Sequence, residues 1–289
     1  MDGSTPETAM ASASAPEGSL AIVFTDIVKS TDIWESSPTA MTKAMMLHDA
    51  MIRELTIQHL GYEVKQNGDG FMIAFQTAVA ALEFCLDVQK KLMEIEWPEE
   101  LLELKAGSEV RRGEKDEAVP DGADVLWRGL RLRMSAHFGE PVCMYNSVID
   151  RMDYLGPMVN RAARFIQATE GGQIVVSDEF LTELRRTKEN GNGNSTSSGE
   201  SGAGPLFDAT PLNEANDEVK LDLKDLPRQG HEHMPAETQF EIRVLGEREF
   251  KGVEEMQKLY FIIPYSLRGR MKHWPKSMQV PGSKGNLVG

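Results

Sequence analysis

The chain has 289 residues, with 31 Lys and Arg against 45 Asp and Glu, a formal net charge of −14. That surplus argues against nucleic acid or an anionic membrane surface as main partner, and a polyanionic substrate would need local neutralisation by metal ions or a few placed cations. No apolar run reaches the roughly 20 residues of a spanning helix, the start lacks a leader pattern, and the two cysteines, Cys85 and Cys143, read as reduced thiols of a cytoplasmic protein.

Residues 1–18, rich in Ser, Ala, Thr, Pro and Gly, read as disordered. Ala21–Phe24 reads as a short buried strand that ends on Asp26, and Ser30, Thr31 and Asp32 open a helix directly behind it. A strand that delivers an acid beside a helix N-terminus can hold a divalent cation on the acid and a polyphosphate on the amides. It is equally the pattern of a strand followed by a capped turn. Ser37-Pro38 starts a second helix with Ser37 as N-cap, which buries Met41, Met45, Ile52 and Leu55 and ends at Gly61. His48 and His59 on it read as packing or surface residues.

Tyr62–Lys65 and Phe71–Phe75 form a predicted hairpin around Gln66-Asn67-Gly68-Asp69-Gly70. A long amphipathic helix follows from Thr77 to about Ile95, with Cys85 in the core. Residues 98–128 read as an insertion with a charged centre. Leu130–Phe138 alternates Leu132, Met134 and Ala136 against Arg131, Arg133 and Ser135, the pattern of a half-buried strand, with Pro141–Tyr145 as its return. Gly156–Ala168 is predicted helical, Gly171-Gly172 breaks it before the strand Gln173–Val176, and Ser177 caps a helix to about Lys188. A Gly-, Ser-, Asn- and acid-rich insertion spans about 189–236. Phe240–Leu245 and Lys258–Ile263 are closing strands, and 271–289 is a loose tail. The expected domain is therefore 19–270, an α+β fold whose mixed, mostly antiparallel sheet carries helices packed against it.

Two carboxylates stand at the tips of apolar elements, Asp26 after the first strand and Asp69 between Gly68 and Gly70. Small neighbours allow a ligand close to the backbone, and a carboxylate pair that brackets two Mg²⁺ ions is suited to moving a phosphoryl group by in-line displacement. Taken singly, an Asp in a Gly-Asp-Gly turn is ordinary turn chemistry. A second group, Asn160 and Arg164, lies four apart on one helix face, where an amide and a guanidinium suit a sugar oxygen and a developing phosphate charge. A solvated helix face reads the same way.

The strings Phe24-Thr25-Asp26-Ile27, Lys65 four before Asp69, and Asp153-Tyr154-Leu155-Gly156-Pro157-Met158-Val159-Asn160-Arg161-Ala162-Ala163-Arg164 resemble the class III nucleotidyl cyclase catalytic domain. With Gly171-Gly172-Gln173-Ile174 and Leu245-Gly246-Glu247-Arg248, they resemble fungal adenylyl cyclases in particular. The resemblance implies a ferredoxin-like core and conversion of ATP to 3′,5′-cyclic AMP and pyrophosphate. It implies two Mg²⁺ or Mn²⁺ ions per active site on Asp26, Asp69 and the Ile27 carbonyl. Lys65 and Asp153 would read the adenine edge, Asn160 would orient the ribose and Arg164 would stabilise the α-phosphate. Ser30, Thr31 and Lys251 would lie along the substrate. It further implies a head-to-tail homodimer with interfacial sites. Small-GTPase control, and any attachment to the cytoplasmic face of a membrane, would come through parts of a longer chain.

Relatives carry Arg or Lys after the His-x-Gly that ends the central strand; here His137-Phe138-Gly139 is followed by Glu140, which leaves the terminal phosphates to Lys29 or Lys251. The competing readings are a non-catalytic cyclase-like module that binds ATP or dimerises, and a guanylyl cyclase.

Overall fold

The computed structural model describes residues 14–113, 124–192, 218–219 and 239–275. The expectations for 1–13, for the interiors of the two insertions at 114–123, 193–217 and 220–238, and for 276–289 fall outside the described residues.

The chain order among these residues starts β1 (Leu20–Ile27), α1 (Ser30–Ser36), α2 (Pro38–Gln58), β2 (Tyr62–Asn67), β3 (Gly70–Phe75), α3 (Ala78–Lys91) and α4 (Glu99–Leu102). It continues β4 (Val110–Arg111), β5 (Val125–Trp127), β6 (Leu132–Gly139), β7 (Val142–Asn146), β8 (Arg151–Leu155), α5 (Pro157–Phe165), β9 (Ile174–Ser177) and α6 (Asp178–Asn192). It closes with β10 (Glu218–Val219), β11 (Phe240–Arg248), β12 (Gln257–Pro264) and a 3-10 stretch, Tyr265–His273. Eight strands form one sheet in the order β10-β11-β12-β9-β6-β1-β3-β2. β6 and β9 run parallel, and the other neighbours run antiparallel. This is the mixed, mostly antiparallel α+β architecture the element order predicted.

β1 sits inside the sheet and is covered on both faces, which is why its sequence is a continuous apolar run rather than an alternation. Ala21 and Val23 join a core with Met41 and Ile52 of α2, Val79 and Leu82 of α3, and Phe180 and Leu184 of α6. Leu20 and Ile22 face the other way, onto Met158, Val159 and Ala162 of α5 and Tyr154 of β8. Each fully buried aliphatic or aromatic side chain contributes about 1.5–3 kcal/mol. The Ser177 cap holds as expected, accepting from the Phe180 N–H at 3.2 Å, and Thr77 caps α3 by accepting from the Ala80 N–H at 3.2 Å.

Several expectations are corrected. Ser37 makes no side-chain cap bond, so Pro38 at the first helical position marks the start of α2 instead. That helix ends at Gln58, and the left-handed residue behind it is Leu60 (φ 55°), not Gly61. β6 is not half-buried: Ser135 and His137 are covered as well, and the Ser135 hydroxyl donates to the Ala162 carbonyl at 2.8 Å. Pro141–Tyr145 is no return strand for β6, because β7 pairs with β8 in a separate two-stranded ribbon. The packed chain begins before residue 19, with Pro16 buried and its carbonyl accepting from Tyr154 at 2.8 Å. It also runs past Arg270 to Trp274, whose ring stands edge-on to Phe261. Within the 98–128 stretch, Leu101, Leu126 and Trp127 are buried. Among the described residues no helix is long and apolar enough to cross a membrane.

Candidate active site

The hairpin turn between β2 and β3 presses against the end of β1. The Phe71 N–H donates to Thr25 Oγ1 at 3.0 Å. A Cβ on Gly70 would stand 2.5 Å from the Thr25 carbonyl oxygen, so only glycine permits this approach. Asp26 and Asp69 are thereby brought to one end of adjacent strands. Asp69 Oδ2 is buried and has no hydrogen-bond partner. Asp26 Oδ2 accepts from Arg133 Nε at 2.7 Å and Nη2 at 2.6 Å, because Arg133 lies opposite it in the β1–β6 ladder. The Ile27 side chain is in the core, so this residue offers a ligand only its backbone.

This donor set fits a hard divalent cation. One carboxylate oxygen is orphaned, two acids converge, and a cation would replace the missing partner. Among the described residues no three His, Cys, Asp or Glu side chains form a ready-made metal cage, so a cation here would need oxygens from the substrate as well. Behind Asp26, Lys29 takes a left-handed conformation (φ 60°) and no side chain caps α1. The first N–H groups at half-buried Ser30 and exposed Thr31 are left uncapped.

Lys65 and Asp153 meet within the single chain. A bulge in β2 between Glu63 and Lys65 turns Lys65 toward the β7–β8 ribbon, where its ammonium donates to both Asp153 oxygens at 2.8 and 2.9 Å. Asn160 and Arg164 ride the outer face of α5. Among the described residues neither side chain has a hydrogen-bond or ion-pair partner. Phe165 packs on Phe250 with ring centres 5.4 Å apart, which brings the Lys251 turn to the end of α5. Neither Asp26 nor Asp69 bonds to Lys65, Asp153, Asn160 or Arg164 among the described residues.

Sequence reasoning missed Arg133. Its strand position was legible, but its pairing with Asp26 depends on β1 and β6 lying side by side across more than a hundred residues of chain. Glu140 follows Gly139, which pairs with Leu20, so it lies at the far end of β1 from Asp26, roughly 20 Å along the strand. His137 is a packing residue: its Nδ1 is 2.7 Å from Ser177 Oγ, it stands edge-on to Phe165, and burial pushes its pKa down to about 4.

The sequence model of the adenylate and guanylate cyclase catalytic domain matches residues 13–200. The chain belongs to this family. The cyclase domain is 38% identical over 264 residues to an adenylate cyclase of Mycosarcoma maydis, spanning 89% of this chain and 10% of that protein. It is 35% identical over 264 residues to an adenylate cyclase of Schizosaccharomyces pombe, spanning 91% of this chain and 14% of that protein. The domain is thus about a tenth of the length of such relatives. Its fold is shared with adenylate cyclases of Trypanosoma brucei solved in their monomeric state (24% identity, TM-score 0.57, covering 86% of this chain and 91% of that one). An adenylyl cyclase of P. aeruginosa shares it too (17% identity, TM-score 0.54, 85% and 94% covered).

Proposed function

We propose that this cyclase domain converts ATP to 3′,5′-cyclic AMP and pyrophosphate at sites completed between two copies of the chain. The observation that carries the reading is the division of the site. Acids, an arginine and an uncapped helix start gather at Asp26, while among the described residues no hydrogen bond or ion pair joins these acids to the Lys65–Asp153 pair, to Asn160 or to Arg164. The β7–β8 ribbon supports a second copy, since Val142, Met144, Tyr145, Val148 and Ile149 are large apolar side chains left exposed.

In this reading the ribose 3′-oxygen attacks the α-phosphorus, the new O–P bond forms as the bond to the bridging oxygen breaks, and pyrophosphate leaves with the electron pair. The hydroxyl proton passes to solvent. Divalent cations held by Asp26, Asp69 and the Ile27 carbonyl would supply neutralisation of the triphosphate and of the attacking oxygen. Arg133, already beside Asp26, offers the terminal phosphates a guanidinium that Glu140 cannot, and the α1 amides at Ser30 and Thr31 add donors. Lys65 donates to an adenine ring nitrogen and Asp153 accepts from the exocyclic amine. Their mutual ion pair holds the two groups ready before substrate arrives. Asn160 orients the ribose, Arg164 meets the charge that develops on the α-phosphate, and Lys251 is a further cation along the substrate.

The test is cyclic AMP formation by the pure chain with Mn²⁺ and then Mg²⁺, measured against protein concentration. Specific activity that rises with concentration to a plateau supports the dimeric enzyme. Nucleotide binding without turnover would favour the non-catalytic module, and cyclic GMP from GTP would favour the guanylyl alternative.

A further inference from the structure

The backbone of the Gly68-Asp69-Gly70 turn sets where Asp69 stands, because Asp69 Oδ2 is buried without a protein partner to hold it. On one flank Gly70 is pressed against the Thr25 carbonyl. The other flank is open: Gly68 stands at φ 63°, and a Cβ there would meet nothing within 4 Å. A tight turn with so little packing on one side depends on hydrogen bonds for its position.

A polar network from α2 supplies them. Asp49 and Arg53 lie four apart on one face of that helix. Gln66 Nε2 donates to Asp49 Oδ2 at 2.9 Å and to the Gly68 carbonyl at 3.2 Å. Gln66 Oε1 accepts from Arg53 Nη2 at 2.8 Å. The amide can therefore face only one way, since a flip would set its oxygen against a carboxylate and a carbonyl, and its NH₂ against a guanidinium. Both anchors are themselves fixed. Arg53 Nε and Nη2 donate to Glu63 Oε2 and Oε1 at 2.9 and 3.0 Å, and the guanidinium lies 5.1 Å from the centre of the buried Phe71 ring. Asp49 Oδ1 is 2.9 Å from Nδ1 of the fully buried His48. Burial raises the Asp49 pKa, but the His48 and Gln66 hydrogen bonds outweigh it and hold the carboxyl below its usual range. Both Asp49 oxygens are thus acceptors at neutral pH.

We infer that Gln66, held by Asp49, is a positioning residue that sets the Asp69 turn for divalent-cation binding. This rests on the reading of Asp69 as a metal acid. Gln66 touches neither substrate nor metal in this role; it acts through the Gly68 carbonyl, one residue before the acid. Its neighbour Lys65 donates to Asp153 instead, so a change at Gln66 separates metal binding from base reading.

The test is a Mn²⁺ titration of the full 289-residue chain followed by thermal unfolding, with an ATP analogue that lacks the 3′-hydroxyl present throughout so that no turnover intervenes. Gln66→Met keeps the length of the side chain and removes its amide. It should raise the half-saturating Mn²⁺ about tenfold, the low end for an outer partner of a metal site. Asp49→Ala should raise it too, yet add nothing in the Gln66→Met background, because Asp49 reaches the turn through Gln66. The ratio of ATP to GTP turnover should stay at the wild-type value in all three variants, whereas a general loosening of β2 would move it. An unchanged half-saturating Mn²⁺ in Gln66→Met, additive effects in the double variant, or a shifted nucleotide ratio overturns the assignment. Asp69→Asn in the same series separates the two readings. Loss of the Mn²⁺ response there, beside a wild-type response in Gln66→Met, sinks the positioning role alone. A wild-type response in Asp69→Asn sinks the metal reading and this inference with it. Melting in EDTA establishes that each variant is folded, and Gln66→Asn, one methylene short of Asp49, replaces Gln66→Met if it is not.

Discussion

Asp69→Asn should stabilise the metal-free protein and abolish its function. In the folded chain Asp69 Oδ2 is buried without a donor, and leaving such a group unsatisfied costs about 1–3 kcal/mol, more when it is charged. The residue as a whole is half-buried, so the low end, about 1 kcal/mol, is the appropriate figure. For a domain of this size that corresponds to a melting temperature raised by about 2–4 °C in EDTA. Divalent cation reverses the order. At a hundred times its dissociation constant a bound ion adds about 2.7 kcal/mol to wild type and little to the variant. Turnover should fall about a thousandfold or more, because a lost metal contact costs several kcal/mol of barrier. The assay is thermal unfolding in EDTA and in Mn²⁺, alongside cyclic AMP production. Failure of the curves to cross, with Asp69→Asn melting lower in both conditions, would refute the reading of Asp69 as a metal acid. So would turnover within a few-fold of wild type.

Exchanging Lys65 for Glu and Asp153 for Cys together should erode the preference for ATP over GTP by tenfold or more; an unchanged ratio in competition kinetics moves base recognition elsewhere. Asp26→Ala and Arg164→Ala should each be nearly inactive alone. Mixed in equal amounts with free subunit exchange, they should recover about a quarter of wild-type activity, because half the dimers carry one intact site of two. Exchange shown by tags without recovery excludes the interfacial site. His137, flanked by Glu179 and Arg161, is held neutral by burial, with a folded pKa of about 4 against 6.5 unfolded. The unfolded chain therefore binds the extra proton first, and this residue's contribution is whole above pH about 6.5 and lost as pH falls toward about 4. Urea unfolding across that window should show a shallower loss for His137→Gln than for wild type, and parallel slopes would deny His137 this role.

The sequence by itself determined most of the elements and the candidate residues they carry. Apolar Ala21–Phe24 could only be a buried strand, Gly68-Asp69-Gly70 could only turn, and Asn160 and Arg164 share a helix face through local geometry alone, since such periodicities are properties of a few consecutive residues. Tertiary structure decided which strands are neighbours, and with that the site. Asp69 meets the end of β1 because residue 70 has no side chain, and Arg133 reaches Asp26 only through the β1–β6 register. The exposed β7–β8 ribbon was not legible for the same reason. Alternation reports a face, not its cover, so Ser135 read with Arg131 and Arg133 as the solvated face until α5 was seen to lie over it. Burial and partnership come from residues distant in the chain, and no local pattern encodes them.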